Sequence, residues 1–133
     1  MELTRFQRSA LGTLIWSETD ENGESFDNSG PAHYRNGAEV PLPVPLEDFD
    51  ADGLAEFCKD CDGFRSDVFE AGLSHLGDTE FFADDFVLTR NGHGAGFWDR
   101  GLGKDGDTLT RLSKAYGTVG LMRGDDGKIY FHG

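Results

Sequence analysis

The sequence predicts one α+β domain, a small antiparallel sheet of two hairpins packed with about three helices. Three observations lead there. Two stretches repeat apolar residues at the helical period. Short β-branched and aromatic runs flank glycine-rich turns. The 133 residues have room for one core, since chains divide into domains only beyond roughly 250 residues. The hydrophobic fraction is 37% and includes eleven Phe and two Trp, enough large apolar surface to fold despite the charge. Residues 1–133 therefore read as a single domain, with no internal repeat and no linker.

The elements follow in order. Residues 3–17 read as a helix, because Leu3, Phe6, Ala10 and Leu14 recur at helical spacing and Leu11 and Ile15 widen the stripe. Residues 18–45 form a long irregular stretch with Asn22-Gly23, Asn36-Gly37 and the prolines Pro41, Pro43 and Pro45. A loop of that length is unusual in a compact domain and points to function or mobility. Asp50 then reads as an N-cap. After it Leu54, Phe57, Cys58, Cys61, Phe64, Val68, Phe69 and Gly72 fall in one arc, an amphipathic helix over 51–73 that Gly53 and Gly63 weaken.

The remaining 85–133 segment reads as ββαββ. Phe86 to Thr89 is strand-like, residues 91–96 are a glycine-rich turn, and Phe97-Trp98 starts the return strand. Asp107 caps a short helix in which Leu109, Leu112 and Tyr116 share a face, and Gly117 ends it. Val119 to Arg123 and Lys128 to Phe131 make a second hairpin across Asp126-Gly127.

Charge is unevenly placed. Acidic residues outnumber basic ones 25 to 12. Between Glu18 and Asp85 lie 19 acidic residues and three basic ones (Arg35, Lys59, Arg65), a balance of −16, whereas the rest of the chain is +3. A field of that sign repels nucleic acid and anionic membrane and attracts basic protein surfaces. On the 51–73 helix Asp52, Glu56, Asp60, Asp67 and Glu70 fall within about an 80° arc opposite the apolar face. Carboxylates four residues apart climb about 6 Å per step, near the roughly 6 to 7 Å between phosphates of a nucleic-acid strand. With Asp48 and Asp50 they form the candidate partner-binding set. The plain alternative is a solvated, solubilising face.

Other motifs point elsewhere. Asp48-Phe49-Asp50-Ala51-Asp52-Gly53 opens like a calcium loop, but Lys59 stands where a bidentate Glu is needed. Cys58 and Cys61 lie in the apolar arc, so they read as small buried hydrophobes rather than zinc ligands. Arg90, His93, Asp99 and Arg100 cluster around the glycine-rich turn. In an enzyme, His93 would be the acid or base, Asp99 its orienting group and the arginines an anion clamp. No phosphate loop, nucleophile elbow or HExxH pattern accompanies them. The residues call for no metal or cofactor, and the expectation is a binding protein rather than an enzyme. No apolar run approaches the roughly 20 residues of a membrane span. MELTRFQRS lacks the core of a secretory signal, and two cysteines suit a reducing cytoplasm.

The run from Asp85 to Gly101, DFVLTRNGHGAGFWDRG, resembles a family of small acidic proteins encoded by bacteriophages and other mobile elements. Gly106-Asp107-Thr108-Leu109-Thr110, Gly117, Gly124 to Tyr130 and Leu14 to Gly23 fit the same family. Residues 26–84 depart most from it. The resemblance implies a phage or plasmid origin and action in a bacterial cytoplasm, and no mechanism. Small acidic proteins of mobile elements are often inhibitors of host defence. The resulting expectation is an anti-CRISPR or anti-restriction protein that imitates nucleic acid and blocks a basic DNA- or RNA-binding surface. The alternatives are a small enzyme or ligand-binding protein using the Gly-His-Gly turn, and a phage accessory protein.

Overall fold

The computed structural model describes residues 2–18, 42, 44–78, 82–92 and 95–133. The 18–45 loop lies almost wholly outside these residues. The described chain forms α1 (Arg5–Ser17), α2 (Ala51–Glu70), α3 (Phe82–Arg90), α4 (Lys104–Lys114), β1 (Gly120–Arg123) and β2 (Ile129–His132). Short 3-10 turns occupy Leu46–Asp48, Ser74–Asp78 and Phe97–Asp99. The class is α+β, and among the described residues there is one antiparallel hairpin where two were expected.

Each helix starts for a local reason. Thr4 caps α1 by accepting from the Gln7 backbone N–H at 3.1 Å, while Gln7 Oε1 accepts from the Thr4 N–H at 2.9 Å. This reciprocal pair satisfies two amides that a helix start leaves without partners. Asp50 caps α2 through its bond from the Gly53 N–H, and the acidic turn before it feeds a helix N-terminus, where negative charge is favourable. The structure ends α2 at Glu70, three residues short of the expected 73. It starts α4 after Gly103, so Asp107 lies in the first turn instead of capping.

The largest departure concerns residues 82–98. The expected strand at Phe86–Thr89 lies within α3, and its return strand at Phe97-Trp98 is a 3-10 turn. The segment is therefore helix, turn, helix and hairpin, not ββαββ. The physical reason is burial. In α3 every described side chain except Leu88 is buried, including Asp84, Asp85, Thr89 and Arg90. A helix with no wet side has no 3.6-residue alternation, and a short apolar run of that kind reads equally well as a strand.

Helix α3 packs against α1 and α4, and α2 contacts the same two neighbours. Aromatic rings join the group. Phe64 of α2 stacks on Phe86 of α3 with centroids 4.3 Å apart, and Phe6, Phe82 and Phe97 surround them. Cys58 and Cys61 are buried free thiols within this core, and burial pushes both above the ordinary thiol range. Phe69, expected in the apolar arc, is instead 69% exposed. It lies at the arc's margin, where no neighbour reaches over it.

The two glycines inside α2 are points of close approach. A Cβ on Gly53 would lie 2.7 Å from Phe131 Cδ1, and one on Gly63 would lie 2.7 Å from Tyr116 Oη. In the hairpin, Leu121 pairs with Phe131 and Arg123 with Ile129. Phe131 stacks on Phe57 and lies tilted against Phe49, turning that side of the hairpin into the core. Its connection is longer than the two residues expected. The Gly124 N–H bonds to Lys128 O, and the Gly127 N–H to Gly124 O. Only Gly127 has positive φ there, which excludes a type I′ turn and fits a type I turn followed by a left-handed glycine.

Candidate functional site

The acidic face begins before α2 and is fixed to the sheet. The Asp50 N–H donates to Ile129 O at 2.8 Å, and its carboxylate is occupied as the helix cap at 2.9 Å from the Gly53 N–H. From there α2 presents carboxylates in three directions, and the directions decide their roles.

Two of them turn to one flank. Asp60 pairs with Arg90 at 3.0 Å, the Arg90 side chain being 2% exposed and that of Asp60 31%. Arg90 also donates through Nε to Gly117 O at 2.7 Å and through Nη2 to Tyr116 O at 2.9 Å. Its guanidinium carbon lies 5.3 Å from the centre of the Phe86 ring. Asp67 accepts the Tyr116 hydroxyl at 2.6 Å. Burial, and next that hydrogen bond, push the Tyr116 phenol above its ordinary range. On the opposite flank Asp62 accepts from Gln7 Nε2 at 2.9 Å. Carboxylates thus fasten α2 to α1 along one side and to the ends of α3 and α4 along the other.

Asp48, Asp52, Glu56 and Glu70 remain exposed. Of the seven expected partner-binding residues, Asp50, Asp60 and Asp67 are used within the fold, and the other four are these exposed ones. Glu47, which the spacing argument overlooked, is exposed beside Asp48. Its signal was its place in the acidic turn before the helix. The free set is therefore Glu47, Asp48, Asp52 and Glu56 around the start of α2, with Glu70 apart at the other end. Lys59, also exposed, lies one turn beyond Glu56.

Of the expected hairpin site, Arg90, Asp99 and Arg100 are described, and each is engaged within the fold. His93 lies outside the described residues. Arg90 is buried in the ion pair above, and Arg100 binds Asp85 through two bonds of 2.8 and 3.0 Å. Burial raises the Asp85 carboxyl, with the Arg100 bonds opposing that shift. Asp99 accepts from the Gly96 N–H at 3.2 Å and so closes its own turn. Both arginines thus hold carboxylates of this chain.

Among the described residues no group of three His, Cys, Asp or Glu side chains is placed to hold a metal ion. No helix among them is long and apolar enough to cross a membrane. In comparisons with known proteins, the chain matches no family model, no curated protein and no solved structure.

Proposed function

We propose that the protein acts by binding, offering the exposed carboxylates of Glu47, Asp48, Asp52 and Glu56 to a basic nucleic-acid-binding surface and so excluding DNA or RNA from it. One observation carries this reading. In a chain of net charge −13, these four side chains are exposed, and none has an ion pair among the described residues. Asp52 and Glu56 stand one helical turn apart on a rigid element, roughly the 6 Å step that suits a row of phosphate-binding cations. A partner's lysines and arginines would neutralise a local excess of charge that the fold leaves unpaired.

The partner's identity as a bacterial defence complex, and with it the cytoplasmic setting, is drawn from the resemblance of residues 85–101 to proteins of mobile elements. On that reading the protein is an anti-CRISPR or anti-restriction inhibitor. The described residues flanking the glycine-rich turn are helix and 3-10 turn rather than paired strands, and Arg90 and Arg100 are paired with Asp60 and Asp85, which favours the binding reading over the enzyme alternative.

The test is affinity capture from a bacterial lysate. A CRISPR or restriction subunit should be recovered at about 0.05 M salt and released at about 0.5 M, where the Debye length is severalfold shorter. Asp52→Lys with Glu56→Lys should abolish capture, while the fold stays intact because both residues are exposed. Capture that survives high salt or the double reversal would refute the proposal.

A further inference from the structure

A cleft of about 230 Å³ opens where four parts of the chain meet. Glu18 follows α1, Asn91 follows α3, Thr118 to Gly120 lead into β1, and His132 ends β2. None of these residues belongs to the acidic face of α2.

Gly120, having no side chain, lets two walls of the cleft close in on its backbone. It is buried and pairs with His132 in the sheet. A Cβ at Gly120 would lie 2.5 Å from Glu18 Oε1 and 2.6 Å from His132 Nε2. A carboxylate and an imidazole therefore converge over the same bare stretch of backbone, close enough for one ligand heteroatom to touch both. The walls are held in place. Glu18 Oε1 accepts the Leu121 N–H at 3.3 Å. Asn91 donates from Nδ2 to Val119 O at 2.9 Å and accepts the Val119 N–H on Oδ1 at 2.8 Å. After these bonds Asn91 keeps one acceptor site, and the Glu18 carboxylate keeps several. The His132 ring makes no hydrogen bond within the described structure and offers a ring nitrogen.

We propose that this cleft binds a small primary alkylammonium ion, with Glu18 as its counter-ion and His132 and Asn91 as further acceptors. The chemistry follows from the walls. A carboxylate that has kept most of its acceptor capacity, in a chain of net charge −13, selects a cation over an anion. An ammonium has three N–H groups to distribute among converging acceptors. The volume lies below the roughly 300–1,000 Å³ of sites for larger ligands, which favours a small amine over a nucleotide.

The probe is n-butylammonium, with n-butanol as the uncharged control, titrated into isotopically labelled protein at about pH 8, where an alkylamine carries its proton. Butylammonium should shift the amide signals of Gly120 and Leu121 and the His132 ring, saturating in the range of about 1 mM. Butanol should not. Glu18→Gln should weaken binding at least about tenfold, and His132→Ala by a smaller factor. Asp52→Asn, on the other face, should change nothing. Should Glu18→Gln disturb the hairpin, visible as lost amide dispersion, His132→Ala decides, because His132 holds no other element. No saturable shift up to about 50 mM, an equal response to butanol, or binding indifferent to His132→Ala would each overturn the assignment.

Discussion

A guanidinium that is 2% exposed has given up water for whatever the fold supplies. For Arg90 that is two carbonyls, one carboxylate and the faces of Phe86 and Tyr116. Removing the carboxylate leaves a buried charge without its counter-ion, a change that costs about 3–5 kcal/mol when both partners are buried. Water reaches Asp60, so Asp60→Ala should cost less, about 2–3 kcal/mol in urea unfolding. Any loss of partner binding in that variant would then follow from lost stability rather than from a lost contact. Tyr116 gives a second residue-scale prediction. Its folded pKa is raised by burial and by Asp67, so the linked stability is fully present below the unfolded value of about 10 and is lost as pH rises through the folded one. In a spectrophotometric titration Tyr116 should ionise later than a free tyrosine, and Asp67→Asn should bring it closer to the ordinary range.

At the scale of elements, α2 shows why a glycine in a helix is not always a weakness. Alanine at an exposed helical position gains about 1 kcal/mol over glycine. At Gly63 the added methyl meets Tyr116 Oη and displaces its bond to Asp67. Gly63→Ala should therefore destabilise, by about 1–2 kcal/mol in urea unfolding, the opposite sign to the propensity scale. The sequence shows α2 clearly because it has one wet face and one dry one, it shows α1 through the spacing of Leu3, Phe6, Ala10 and Leu14 although residues 10–15 are buried all round, and it shows the final hairpin through Asp126-Gly127. It hides α3, whose stripe of core residues closes on itself, and whose Asp84, Asp85 and Arg90 read as surface until their partners Thr13, Arg100 and Asp60 are seen. The acidic row was legible as a row. Which carboxylates it would keep for outside use was not, because Arg90, Tyr116 and Gln7 are brought to it from 30, 49 and 55 positions away. Glu18 and His132 converge from opposite ends of the chain, and no local pattern announces them.

For the whole molecule, a net charge of −13 stores repulsion that folding concentrates, and pairs such as Arg90–Asp60 and Arg100–Asp85 leave that net excess in place. Screening should therefore stabilise the protein. Its thermal midpoint is expected to rise between about 0.02 and 0.2 M sodium chloride, and a fall would mean that attractive pairs dominate. A sheet of two strands also leaves hydrogen-bonding positions along its borders, where another chain could zip on. Here the Asn91 amide occupies both groups of Val119, and Glu18 takes the Leu121 N–H. Side chains thus stand where a third strand would begin. The molecule ends its own sheet at that border, so strand-by-strand growth into fibres has no ready starting point there.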